Sequence, residues 1–65
     1  MAGTTPELMR LGAEIVGAHE PCKPNYLVKM LKRYGASTRA ANETLFALMR
    51  DGYVRRTWNG KLRLP

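Results

Sequence analysis

Apolar side chains recur every three or four residues in the first part of the chain, a spacing that places them on one face of an α-helix. The repeating positions are Leu8, Leu11 and Ile15. Thr5 suits the N-cap, and Pro6 suits the first helical position because its fixed φ is already helical. Pro21 prevents the helix from continuing. The pattern therefore predicts a helix over residues 5–18.

Two more helices are predicted by the same spacing. The inward positions of the second are Leu27, Met30, Leu31 and Tyr34, and those of the third are Ala41, Leu45, Leu48 and Met49. Pro24 suits the start of the second helix and Gly35 its end, because glycine readily adopts the left-handed conformation that follows a helix. Ser37 suits the N-cap of the third. We predict helices over residues 24–34 and 37–51.

The last stretch changes from helical to alternating spacing. Aromatic, β-branched and long side chains fill residues 53–64 on both sides of Asn59-Gly60. Asn-Gly between such runs favours a type I′ turn, because both central residues of that turn need positive φ. A two-residue loop at Asn59-Gly60 predicts a hairpin in which Arg56 faces Arg63.

Composition adds a strongly basic balance to this pattern. The 65 residues are 45% hydrophobic, which supports one modest core and a single domain over residues 1–65. The formal net charge of +6 is uneven: residues 1–22 carry one basic and three acidic residues, whereas residues 23–65 carry ten basic and two acidic residues. A positive field concentrated in one part of a small domain favours a polyanionic partner such as nucleic acid. The alternative is charge that serves solubility alone.

Patterns for catalysis and metal binding are lacking. His19 and Cys22 lie three residues apart, but the sequence has no other Cys or His to complete a metal site. The connector around them predicts a surface loop with a half-buried thiol at Cys22. Paired carboxylates, a phosphate-binding glycine loop and a run of about 18 apolar residues are also lacking. We expect a non-enzyme without metal, cofactor, small-molecule effector or membrane partner, in the cytoplasm and associated with the nucleoid.

The order of the predicted elements resembles the winged helix-turn-helix family over residues 5–64. The most specific part is the run STRAANETLFALMRDGYV, residues 37–54. It is similar to a capped recognition helix with two leucines three apart, followed by a glycine, a large residue and a β-branched residue entering the wing. The resemblance implies an α+β fold, a small winged helix-turn-helix with three helices followed by a C-terminal β-hairpin wing. It also implies that residues 37–50 enter the major groove of DNA and that the hairpin 54–64 touches an adjacent groove or the backbone.

The N-terminal half of the third helix carries the candidates for base contact. Arg39 and Asn42 lie three apart and share a helix face. Arg pairs with guanine O6 and N7, and Asn pairs with adenine N6 and N7. The alternatives are a phosphate contact for Arg39 and a solvated helix position for Asn42. The full candidate set is Thr38, Arg39, Asn42 and Glu43.

Basic and hydrogen-bonding side chains elsewhere are candidates for contact with the DNA backbone. Like charges at Arg56 and Arg63 destabilise a hairpin by a few tenths of a kcal/mol, which favours a surface held ready for an anion; the alternative is that both side chains splay into solvent. Arg55 is placed on the opposite hairpin face. The candidate set is Asn25, Tyr26, Lys29, Lys32, Arg33, Ser37, Arg50, Arg56, Trp58, Lys61 and Arg63.

Three aromatic side chains need an interpretation. Tyr34 is expected in the core. Phe46 either packs on DNA or covers the junction with the second helix, and Trp58 either stacks on DNA or packs against a neighbouring helix. Asn42, Phe46 and Trp58 are similar to the trio with which one winged-helix subclass binds left-handed Z-form duplexes. The wing has no internal proline here, however, and Thr38 stands where that subclass favours Lys.

With one domain and no effector module, the chain resembles small phage or mobile-element regulators and excisionase-like architectural proteins. We expect double-stranded DNA binding in transcription regulation or DNA recombination. One recognition helix has a small footprint, so we expect a homodimer, a cooperative array or a partner protein, with the acidic first helix as the dimer surface. The rival is a winged helix used for protein–protein interaction, such as a phage factor docking on a host protein. An exposed apolar patch including Met9, Phe46 and Trp58 would favour that rival.

Overall fold

The structure, a computed structural model, describes residues 4–65 and contains three helices followed by a short antiparallel hairpin. The elements are α1 (Pro6–Ala18), α2 (Pro24–Arg33), α3 (Thr38–Arg50), β1 (Arg55–Arg56) and β2 (Leu62–Arg63). This order confirms the predicted layout of three helices and a C-terminal hairpin, and each helix boundary lies within one residue of its predicted position. None of the helices in the described part of the chain has the length and apolar character that crossing a bilayer requires.

Two of the helices begin at the side-chain caps that the sequence predicts. The hydroxyl of Thr5 accepts a hydrogen bond from the Leu8 N–H at 3.2 Å, and the hydroxyl of Ser37 accepts one from the Ala40 N–H at 3.0 Å. Each bond satisfies a backbone donor that has no partner inside the helix. Gly35 follows the end of α2 with a φ of 105°, a conformation that glycine adopts without strain.

The core lies between the three helices and the hairpin. Its fully buried members include Val16 from α1, Leu27 and Leu31 from α2, Leu48 from α3 and Leu62 from β2. The one buried polar side chain in the described chain is Thr44, whose hydroxyl donates to the Ala40 carbonyl at 2.7 Å and lies 2.8 Å from the Thr4 hydroxyl. A satisfied hydroxyl of this kind avoids the cost of an unpaired polar group in the core.

The connection between α1 and α2 is tied to the hairpin at Cys22. The Cys22 N–H donates to the Leu62 carbonyl at 2.8 Å, and the Leu62 N–H donates to the Cys22 carbonyl at 2.6 Å. The predicted half-buried thiol is therefore wrong: Cys22 is fully buried, because this bridge draws it against the core. Burial raises the pKa of the Cys22 thiol, so it is protonated at neutral pH.

The hairpin register differs by one residue from the prediction. Arg55 pairs with Arg63, and Arg56 pairs with Leu62, so the predicted pairing of Arg56 with Arg63 is wrong. The turn has three residues, 58–60, rather than the predicted two. Only the glycine of the turn has positive φ, at 80°, whereas a type I′ turn needs positive φ at both central residues.

Burial explains the observed register. A shift of one residue moves every side chain of a strand to the other face of the sheet. The observed pairing places Val54 and Leu62 on one face, and both are buried in the core. The predicted pairing would have put them on opposite faces. The gain from burying both side chains therefore outweighs the turn preference of Asn59-Gly60.

The expectation that Tyr34 belongs to the core is also wrong. Its side chain is 64% exposed, whereas Leu27 and Leu31 of the same predicted stripe are fully buried. Tyr34 is the C-cap residue of α2, with φ −86° and ψ 8°. The backbone leaves the helix at this position, so the side chain no longer follows the inward stripe.

Gly12 marks a close approach between α1 and α3. A Cβ at this position would lie 2.7 Å from Cδ1 of Leu48, which is fully buried and has little room to move. Overpacking of this kind costs about 1–3 kcal/mol, whereas alanine gains about 1 kcal/mol of helix propensity over glycine. We expect Gly12→Ala to lower the free energy of unfolding by about 1 kcal/mol in urea denaturation.

Gly17→Ala is the matched control for this variant. It also gains helix propensity, although less than Gly12→Ala because Gly17 is the penultimate residue of α1. Its Cβ would meet only the half-buried side chain of Leu64, at 3.0 Å. A Gly12→Ala protein at least as stable as the Gly17→Ala protein would contradict the close packing of α1 on α3.

Candidate nucleic-acid interface

One face of α3 is exposed along the whole helix. Arg39, Asn42, Phe46 and Arg50 follow one another at helical spacing on this face, and all four are exposed, as is Thr38 in the first turn. The opposite face of α3 is buried against the core through Ala41, Thr44, Leu45 and Leu48. The structure therefore brings the predicted base-contact residues Arg39 and Asn42 together on a face that the core leaves free.

Arg39 and Glu43 form an ion pair on this face. The Arg39 Nε donates to the Glu43 Oε2 at 3.0 Å, across one turn of the helix. This bond uses the Nε of the guanidinium and not its two terminal nitrogens, which can together donate to a planar pair of acceptors. Glu43 can therefore orient Arg39 while Arg39 contacts a further acceptor.

The two ambiguous aromatic residues are both exposed. Phe46 is 63% exposed, so its alternative placement in the junction with α2 is wrong. Trp58 is 97% exposed at the turn of the hairpin, so it does not pack against a neighbouring helix. Large apolar side chains that are exposed to water indicate a binding surface when charged groups able to bind the same ligand lie beside them.

The candidates on α2 divide into two groups. Lys29, Lys32 and Arg33 are exposed and form the predicted stripe, and Asn25 is exposed in the first turn. Tyr26 is only half-exposed, and its ring packs edge-on against the ring of His19 with centroids 5.0 Å apart. Tyr26 therefore helps to pack the junction between α1 and α2.

The ends of α3 carry two further backbone candidates. Ser37 is exposed, and its hydroxyl caps the helix through the Ala40 N–H. At the other end, the Arg50 Nε donates to the Asp51 Oδ1 at 3.1 Å. This hydrogen bond and the charge of Asp51 raise the pKa of Arg50 further above its ordinary value, so Arg50 is a permanent cation.

The hairpin carries an open cleft of about 610 Å³ lined by cationic side chains. Three arginines line it, Arg55, Arg56 and Arg63, together with the exposed ring of Trp58. Glu20 also lies at this cleft and its carboxylate accepts a hydrogen bond from the Leu64 N–H at 3.2 Å. Three guanidinium groups against one carboxylate leave the cleft positive. We call this surface the wing cleft.

Register decides which arginine faces Arg63. The predicted pairing selected Arg56, whereas the structure places Arg55 directly opposite Arg63. Lys61 is half-buried beside the turn, where its N–H donates to the Thr57 hydroxyl at 3.1 Å. The like-charged pair that the sequence indicated is present, with a different partner. A three-residue turn that ends in glycine is compatible with the same residues and would have placed Arg55 correctly, but the turn sequence alone does not select it over the two-residue turn.

Replacing one arginine of this pair tests the register. Arg55→Glu turns the like-charged pair into an opposite pair across the strands, and Arg56→Glu changes the net charge equally but faces Leu62. We expect the Arg55→Glu protein to be more stable than the Arg56→Glu protein by about 0.2–1 kcal/mol in urea denaturation at low salt. High salt should reduce the difference. Equal stabilities at low salt would contradict the observed pairing.

Neither a metal site among the described residues nor a related protein helps to interpret this surface. No group of three or more His, Cys, Asp or Glu side chains that could hold a metal ion is present among residues 4–65. Comparison of the chain with models of known protein families, with curated proteins and with solved structures finds no significant match.

Proposed function

We propose that the protein binds double-stranded DNA as a small winged helix-turn-helix domain, in transcription regulation or as an architectural factor in recombination. The observation that carries the proposal is the wing cleft. Three arginines are held around one open surface, two of them directly opposite each other, beside an aromatic ring that is 97% exposed. Repelling cations and an exposed ring cost stability in the free protein, and both are relieved by an anionic, stackable ligand.

In this proposal α3 lies in the major groove and reads bases. The terminal nitrogens of Arg39 contact guanine O6 and N7 while Glu43 holds the Nε at 3.0 Å. Asn42, one turn along the same exposed face, contacts adenine N6 and N7. Each good pair of this kind contributes about 1–3 kcal/mol of discrimination against the wrong base. Glu43 is a positioning residue for Arg39 in this arrangement.

The wing cleft contacts the backbone and the adjacent minor groove. A phosphate between Arg55 and Arg63 replaces their mutual repulsion by two attractive contacts and releases counterions from the DNA. Trp58, at the hairpin turn, then packs against sugar or base edges at the groove. The exposed stripe of Lys29, Lys32 and Arg33 on α2 adds backbone contacts that carry no sequence information.

A protein-docking role is the second candidate, and the exposure of Phe46 and Trp58 favours it. Exposed aromatic rings are also what a partner protein would bury. However, Trp58 lies in the wing cleft among arginines, whereas Met9 lines a different cleft, along α1. These two residues therefore do not share one apolar surface. The charge around Trp58 makes DNA the better ligand for this surface.

Two substitutions separate base reading from backbone binding. Arg39→Ala removes a proposed base contact, so it should reduce the preference for a duplex selected from a random pool over an unselected duplex by about 5–150-fold. Arg63→Ala removes a proposed phosphate contact, so it should weaken binding to both duplexes alike and reduce the salt slope by about 1. Fluorescence anisotropy with both duplexes across a salt series measures both effects.

Both side chains are exposed, so we expect each variant to retain the fold. Circular dichroism of each variant verifies this. If Arg39→Ala, like Arg63→Ala, lost as much affinity for the unselected duplex as for the selected one, the assignment of Arg39 to base contact would be wrong. A third arm measures the affinity for a left-handed duplex of alternating cytosine and guanine. It is included because Asn42, Phe46 and Trp58, the trio similar to that of the subclass that binds such duplexes, are all exposed.

A further inference from the structure

A second open cleft, also of about 610 Å³, lies along α1 and is mostly apolar. Its apolar lining comes from Pro6, Met9, Ala13 and Gly17 along α1, and from Tyr53 and Leu64 after α3. Tyr53 is 57% exposed, and Met9 and Leu64 are half-buried, so several apolar side chains are only partly covered. We call this surface the α1 groove. It shares no residue with α2, with the exposed face of α3 or with the wing cleft.

The charges at the α1 groove differ from those at the wing cleft. Arg10 supplies one positive charge and Glu14 one negative charge, and Asp51 supplies a second negative charge that is paired with Arg50. A groove without excess positive charge does not attract a polyanion, which argues against nucleic acid as its occupant. Partly exposed apolar side chains flanked by charges of both signs are typical of a surface that contacts protein.

Arg10 and Glu14 make the groove complementary to itself. They lie four residues apart on α1, both are exposed, and neither has an ion-pair partner within residues 4–65. In an antiparallel pair of identical helices, a two-fold axis can cross the exposed side of α1 at the height of residue 12. Position 10 of each copy then faces position 14 of the other. Two attractive ion pairs then form at once.

We infer that the α1 groove is the contact between two copies of this chain, with α1 packed antiparallel to α1 of the second copy. Arg10 pairs with the partner's Glu14, and the apolar side chains of the two grooves cover one another. The contact is isologous, so it closes at two copies and leaves no unpaired groove. This inference stands apart from the proposed DNA binding, since no residue of the groove is a candidate for DNA contact.

Charge reversal at the two positions tests the contact without DNA. Sedimentation equilibrium over a concentration series measures the dimer dissociation constant of the natural chain, Arg10→Glu, Glu14→Arg and the double variant. Each single reversal places like charges opposite each other twice, so each should weaken the dimer about tenfold or more. The double variant exchanges the charges and should restore dimerisation. A mixture of the two single variants should form the mixed dimer, in which both pairs attract.

The two single variants also control for net charge. Arg10→Glu lowers the net charge by two and Glu14→Arg raises it by two, so a general charge effect would move their dissociation constants in opposite directions. Both positions are exposed on α1, and circular dichroism verifies that each variant is folded. A natural chain that is monomeric at every concentration would overturn the inference. A dimer that is weakened by only one reversal, or by neither, would overturn it as well, because its contact would lie elsewhere.

Discussion

The burial of Leu62 and its two backbone hydrogen bonds to Cys22 hold the hairpin on the helical core. A two-stranded hairpin of this length has little stability of its own. The bridge to Cys22 gives β2 hydrogen-bonded neighbours on both sides, β1 and the connection between α1 and α2. Because Leu62 faces the core, the alternation along both strands determines on which face every other side chain of the hairpin lies. The wing cleft is one consequence, since Arg55 and Arg63 then share a face.

The same core determines which face of α3 is exposed. Gly12 lets α1 approach α3 closely. The buried side of α3 includes the small side chain of Ala41 and the hydrogen-bonded hydroxyl of Thr44. The remaining face does not pack against the core, and it carries Arg39 and Asn42 in the first half of the helix. Glu43 adds orientation to Arg39 before any ligand is present. Such preorganisation reduces the conformational entropy that binding would otherwise cost.

The sequence was sufficient for features that depend on neighbouring residues. Helix starts at Thr5 and Ser37 were predictable because a cap is a contact over three residues. The hairpin register was not, because it depends on what Leu62 packs against, and the Asn-Gly preference pointed to a shorter turn. The burial of Cys22 was missed for the same reason, since its partner lies 40 positions away along the chain. The exposure of Phe46 and Trp58 was open to two interpretations until the surrounding elements were placed.

In the proposed function, the positive charge of this chain is arranged to bind a duplex. The affinity of the natural chain for a random-sequence duplex, measured by fluorescence anisotropy across a salt series, tests this proposal. Each contacted phosphate contributes about −0.9 to the slope of log affinity against log salt concentration. The three arginines of the wing cleft alone therefore predict tight binding at low salt and a slope of about −2.7 or steeper. No binding at low salt, or a slope near zero, would overturn the proposed DNA binding.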